Sequence, residues 1–149
     1  MDMEGTASLT AAPDTVFAEV ADLGTYPSWL GIVFGAEPSP PHDADPGPAW
    51  MVDLGAKIGP IPITRKVRMV RTRCLPPKLV QFERMEHDAT EHSDWVLTAE
   101  VEVADGGSAL TVRAHYGGAA RLPGIDNILR DEIRKGGGRL QARLAAGPR

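Results

Sequence analysis

Residues 95–116 carry the pattern that most restricts what this chain can fold into. Trp95, Leu97, Ala99, Val101 and Val103 fall on every second position, and Leu110, Val112, Ala114 and Tyr116 do the same. A period of two buries one face of a strand and cannot serve a helix. Asp105-Gly106-Gly107 lies between the two runs, and such a turn joins them as a hairpin. The same grammar extends upstream to Ala49. Trp50, Val52, Leu54, Ala56 and Ile58 share one face, and Gly59-Pro60 turns the chain. Ile61, Ile63, Val67 and Met69 share the next face, Pro76-Pro77 breaks the run, and Val80 and Phe82 resume it. Five successive strands joined by turns predict an antiparallel sheet.

Helical signals flank this β region. Residues 3–10 alternate as a first strand. Pro13 and Asp14 then suit a helix start, with Val16, Phe17, Val20 and Ala21 as its apolar stripe, ending near Asp22-Leu23-Gly24. A second short helix is expected over 25–30 and a strand from about Gly31. Residues 37–48 contain five prolines and read as an exposed loop. After Gly117-Gly118, the residues Leu122, Ile125, Leu129, Ile133, Leu140 and Leu144 recur at helical spacing. Gly136, Gly137 and Gly138 interrupt this helix. They imply either a kink or a face stripped of side chains for close packing against the sheet.

Leu, Ile, Val and Phe account for only 33 of 149 residues. So few large apolar side chains predict a thin core for a single domain over 1–149. No apolar stretch approaches the ~20 residues of a membrane span, so stable membrane insertion is not expected. The start, Met1-Asp2-Met3-Glu4, carries acid where a signal peptide carries base, and a cytoplasmic location is the expectation. The single cysteine, Cys74, allows no internal disulfide and no Cys-based zinc site. A net charge of −4 gives no general attraction to nucleic acid.

Few residues have the makings of chemistry. Arg65 is in phase with Ile61, Ile63, Val67 and Met69, and Arg84 with Val80 and Phe82. Two inward guanidiniums would suit a carboxylate or phosphate, although a bulge or a snorkelling stem would carry Arg65 outward. Residues 65–73 hold five cations. Pairing across strands with Glu83, Glu86, Asp88, Glu91 and Asp94 accounts for them better than nucleic acid does. His87, Asp88, Glu91 and His92 match no metal spacing and read as exposed loop residues, so neither a metal nor a cofactor is expected. Tyr116 is the one inward acid, whereas His115 and Asp53 fall on the outward phase. Trp29 reads as core, and Trp50 and Trp95 as core or cavity lining.

Ala12-Pro13-Asp14-Thr15-Val16-Phe17, followed by Asp22-Leu23-Gly24-Thr25-Tyr26-Pro27-Ser28-Trp29, resembles the START-like (SRPBCC) superfamily. Bet v 1-type and polyketide cyclase/dehydrase-like proteins belong to it. The order of elements agrees over residues 3 to about 145. Lys57-Ile58-Gly59-Pro60-Ile61 is also similar to the central hairpin of the branch that includes a carbon monoxide dehydrogenase accessory protein. The resemblance implies an α+β helix-grip fold: a curved antiparallel seven-stranded sheet around a long C-terminal helix, with two short helices between strands 1 and 2. It further implies binding or transport of a hydrophobic small molecule, anionic if the arginines anchor it. The expected contacts are Trp50, Leu54, Arg65, Phe82, Arg84, Trp95, Leu97, Val112, Tyr116, Leu129 and Ile133. The alternatives are a cyclase or aromatase using Tyr116, or a regulatory, toxin-like module with a protein partner. An enzyme is the weaker reading, since one tyrosine is thin equipment for catalysis.

Overall fold

The alternating runs become one antiparallel sheet of seven strands in the order β1-β7-β6-β5-β4-β3-β2. The computed structural model describes residues 1–118 and 124–146. The strands are β1 (Asp2–Leu9), β2 (Val33–Ser39), β3 (Ala49–Ile58), β4 (Ile61–Leu75), β5 (Leu79–Arg84), β6 (Trp95–Ala104) and β7 (Gly107–Tyr116). Helix α1 (Pro13–Val20) and a 3₁₀ helix (Leu23–Ser28) lie between β1 and β2, and α2 (Ile125–Ala145) follows β7. Leu122, expected at the start of the last helix, lies outside the described residues.

Local chemistry sets the boundaries. Pro13 opens α1 with Asp14 in its first turn, and Val16, Phe17 and Val20 are buried. The Asp22 carboxylate accepts from the Gly24 N–H at 2.9 Å and starts the 3₁₀ helix. Tyr26 is fully buried, donates its hydroxyl to the Val20 carbonyl at 2.7 Å, and packs 4.5 Å from Trp29 between ring centres. Burial pushes the Tyr26 phenol far above its ordinary titration range.

Helix α2 lies along β1 and is continuous through its three glycines. Two of them are buried because they replace side chains that would collide. A Cβ on Gly137 would overlap that of Ala7, and one on Gly136 would stand 2.6 Å from Leu30 Cδ1. Gly5 of β1 completes the seam, where an added Cβ would run into the Ile133 carbonyl. Gly136 and Gly137 are therefore a contact face, and the helix runs unbroken through all three glycines.

Two expectations need correction. The second strand begins at Val33, not Gly31, and continues through Ser39. The proline-rich loop is also not simply exposed, because the Asp45 side chain is buried. Composition marks a loop but cannot say what the loop covers.

Candidate functional site

Between the sheet and α2, the inward faces form one apolar cluster. Trp50, Leu54, Phe82, Trp95, Leu97, Val112, Leu129 and Ile133 all belong to it. Aromatic contacts cross this interior. Phe82 meets Tyr26 edge-on at 5.7 Å and Trp50 at 5.5 Å between ring centres. Thus eight of the eleven predicted contact residues sit together in the grip.

The cluster reaches the surface where β5 and β7 end and β6 begins. Tyr116 follows the phase of buried Leu110, Val112 and Ala114 but is only half-buried. Its ring stacks on Trp95 at 4.6 Å. Arg84, opposite buried Met69, ends β5 at the same rim. Its Nε donates to Glu86 at 2.7 Å, Nη1 donates to the Ser93 carbonyl at 3.3 Å, and Nη2 lies 3.3 Å from His92 Nδ1. A depression of about 270 Å³ opens beside it, lined by Arg84, Glu86, His92 and Ser93 among others. The Arg84 charge is answered by Glu86, so this rim is polar rather than strongly cationic.

Arg65 lies elsewhere. It stands opposite Leu54, on the expected face, yet residues 61–66 are all exposed. The β3–β4 hairpin extends past the last β4–β5 pair, Met69 with Arg84, so no neighbouring strand encloses Arg65. An arginine further along the same face points inward instead. Arg71 pairs opposite fully buried Phe82 and donates from Nη1 to the Ala21 carbonyl at 3.0 Å, at the C-terminal end of α1. That placement suits a cation, because helix C-termini are electronegative. Extending the period by one step from Met69 would have found it.

The outer face of β4 supplies a second polar cluster that the sequence did not reveal. Arg68 Nη1 and Nη2 donate to the two Asp45 oxygens at 2.9 and 2.6 Å. Arg68 also donates to Ser39 Oγ and to the carbonyls of Pro40 and Met85. His87 Nε2 lies 2.7 Å from Asp45 Oδ1, and the His42 and His87 rings stack at 3.6 Å. The Arg68 hydrogen bond holds the Asp45 carboxyl well below the usual carboxylate range, and Asp45 in turn raises Arg68. This network straps the proline-rich loop onto the sheet. It also corrects the expected charge pairing. Arg68 pairs with Asp45 and Lys66 with Asp53, while Glu86 pairs with Arg84 of its own segment.

Two further histidines pair with carboxylates. His92 contacts Asp88 at 3.0 Å, and His115 contacts Asp2 at 2.6 Å on the outer face. Among the described residues, no group of three or more His, Cys, Asp or Glu side chains is arranged to hold a metal ion.

Comparison with known proteins assigns this architecture. The family described as "Polyketide cyclase / dehydrase and lipid transport" matches residues 1–145. The chain belongs to this family. No curated protein matches the sequence. Among solved structures, a START superfamily protein from Mycobacterium smegmatis superposes with a TM-score of 0.71 at 11% identity, covering 97% of each chain. Ginseng major latex-like protein 151 from Panax ginseng gives 0.65 at 10% identity and 96% of each chain. Ara h 8.0201 gives 0.61 at 18% identity and 99% of each chain. At such identities these likenesses establish the helix-grip fold of the polyketide cyclase/dehydrase and lipid transport family. Among the described residues, no helix is long and apolar enough to cross a membrane.

Proposed function

We propose that this family member binds a hydrophobic small molecule between its sheet and α2, admitted at the rim where β5 and β7 end and β6 begins. The observation that carries the reading is the stack of half-buried Tyr116 on buried Trp95, where the apolar inner face comes to the surface beside polar side chains. An apolar wall with a few convergent polar groups is the usual makeup of a small-molecule site. Trp50, Leu54, Phe82, Trp95, Leu97, Val112, Leu129 and Ile133 are the proposed apolar contacts. Tyr116 and Arg84 meet the polar end of the ligand. Because Glu86 already neutralises Arg84, a hydroxyl or carbonyl suits that end better than a carboxylate. Arg65 is left out of the site.

Tryptophan fluorescence tests this. In a Trp29→Phe, Trp50→Phe background, Trp95 reports alone on added fatty acids, sterols or aromatic polyketides. Saturable quenching with a raised melting temperature is the expected result. Unchanged emission and melting across all three classes would remove the proposal.

A second reading, a cyclase or aromatase, rests on Tyr116 alone, whose hydroxyl makes no hydrogen bond among the described residues. It requires Tyr116→Phe to abolish turnover of a polyketide chain without altering the melting temperature. Retained turnover in that variant would take the tyrosine out of the chemistry.

A further inference from the structure

The β3–β4 hairpin runs on past both neighbouring strands as a two-stranded ribbon whose tip is exposed. The last β2–β3 pair is Val33 with Leu54, and the last β4–β5 pair is Met69 with Arg84. Gly55 N–H still donates to the Ile32 carbonyl at 2.9 Å and Ala56 is buried, and past them β3 and β4 pair only with each other, out to Ile58 with Ile61. The tip carries exposed isoleucines: Ile61 is 59% and Ile63 40% exposed, and Ile58 beside them is half-buried. Exposed isoleucines clustered at a protruding tip call for a partner.

The surrounding charge says what kind. Between Asp53 and Glu83 there is no acidic residue, although the whole chain carries −4. Lys57, Arg65 and Lys66 are exposed on the ribbon. Only Lys66 has an ion-pair partner among the described residues, Asp53 at the ribbon's base. The tip is also poor in backbone donors, because Pro60 and Pro62 have no N–H. Few polar groups would therefore lose hydration on entering an apolar phase. The same prolines blunt the ribbon against strand pairing with a second copy.

We infer that this ribbon tip docks the protein on an anionic lipid surface, with Ile58, Ile61 and Ile63 in the interface and Lys57 and Arg65 at the head groups. Four residue pairs beyond Leu54–Arg65 span roughly 13 Å at the strand rise. That is enough for the tip to reach the ~5–10 Å depth at which peripheral elements lodge. The docking does not require a ligand in the grip, so it stands or falls separately from the proposed interior site.

Sedimentation of the whole chain with vesicles tests it. Vesicles of phosphatidylcholine and phosphatidylserine should pull the protein down, and phosphatidylcholine alone should do so much less. Binding should weaken with added salt. Lys57→Gln and Arg65→Gln should each lower partitioning about fivefold. Ile61→Ser combined with Ile63→Ser should abolish it, with an unchanged circular dichroism spectrum and melting temperature, since both side chains are exposed. Three results would overturn the inference: no sedimentation with either vesicle, equal and salt-insensitive binding to both, or a dimer that these isoleucine substitutions dissolve.

Discussion

Arg68 and Asp45 meet fork to fork across 23 positions of sequence, and the Asp45 side chain is only 2% exposed. A strand thereby holds down a proline-rich loop that has little apolar surface of its own. Such a pair matters less for its own attraction than for what its loss leaves behind, a carboxylate buried without a partner.

Arg68→Ala should accordingly cost about 3 kcal/mol, near the low end for breaking a buried pair, because the loop lies at the protein's edge. Adding Asp45→Asn should recover part of that loss, since the amide leaves no buried charge. Urea unfolding of both variants measures it. Equal stability of the wild type and Arg68→Ala would mean that the pair contributes nothing.

Acid should loosen the same loop. The folded state holds Asp45 below its ordinary carboxyl pKa, chiefly through Arg68. Its contribution is complete above the unfolded value of ~4 and is lost as pH falls below that. Asp2, Asp88 and Asp131 are lowered too, first by His115, His92 and Lys135, but they titrate at the surface. Melting temperature should thus fall as pH drops from 5 towards 2, and Asp45→Asn should flatten that fall. An Asp45→Asn variant as acid-sensitive as the wild type would contradict the assignment.

The glycine triplet of α2 should split by position. Gly138 has nothing within 4 Å of an added Cβ, so Gly138→Ala should stabilise by about 0.5–1 kcal/mol through helix propensity. Gly137→Ala should destabilise instead, because the new methyl meets Ala7. Thermal melts should shift by a few degrees in opposite directions, and shifts of the same sign would refute the seam.

Tyr26→Phe should cost roughly 1–2 kcal/mol by leaving the Val20 carbonyl without its buried donor. The proposed vesicle binding, which uses a distant ribbon, should not change.

Much of this is legible in the chain itself. Period-two runs locate the strands of residues 49–116, and the same phase puts Trp50, Phe82, Trp95 and Val112 on the enclosed side. What period cannot tell is how far a neighbouring strand extends. Arg65 has the correct face and no wall, because β5 stops opposite Met69. Arg71 lies one period further along the same face, and there β5 encloses it, with Phe82 as its cross-strand partner. Asp45 is hidden for a different reason, since its partner is remote and its own surroundings are all loop residues. The glycines of α2 are likewise undecidable alone. Ala7 and Leu30, more than a hundred positions away, are what leave no room for a side chain at Gly137 and Gly136.

The seam between β1 and α2 has one more consequence, for the order in which the molecule can assemble. Thr10 N–H donates to the side chain of Gln141, 131 positions later, and β1 pairs with β7 alone in the sheet. At the usual ~5–20 residues per second of synthesis, the first strand emerges and then waits about 5–20 s for anything to grip. Until α2 arrives, an edge strand and the apolar underside of a half-built sheet stay open to the cell. Folding here is governed by late closure, and ribosome-bound chains ending before residue 125 should be the protease-sensitive, chaperone-dependent form of this protein.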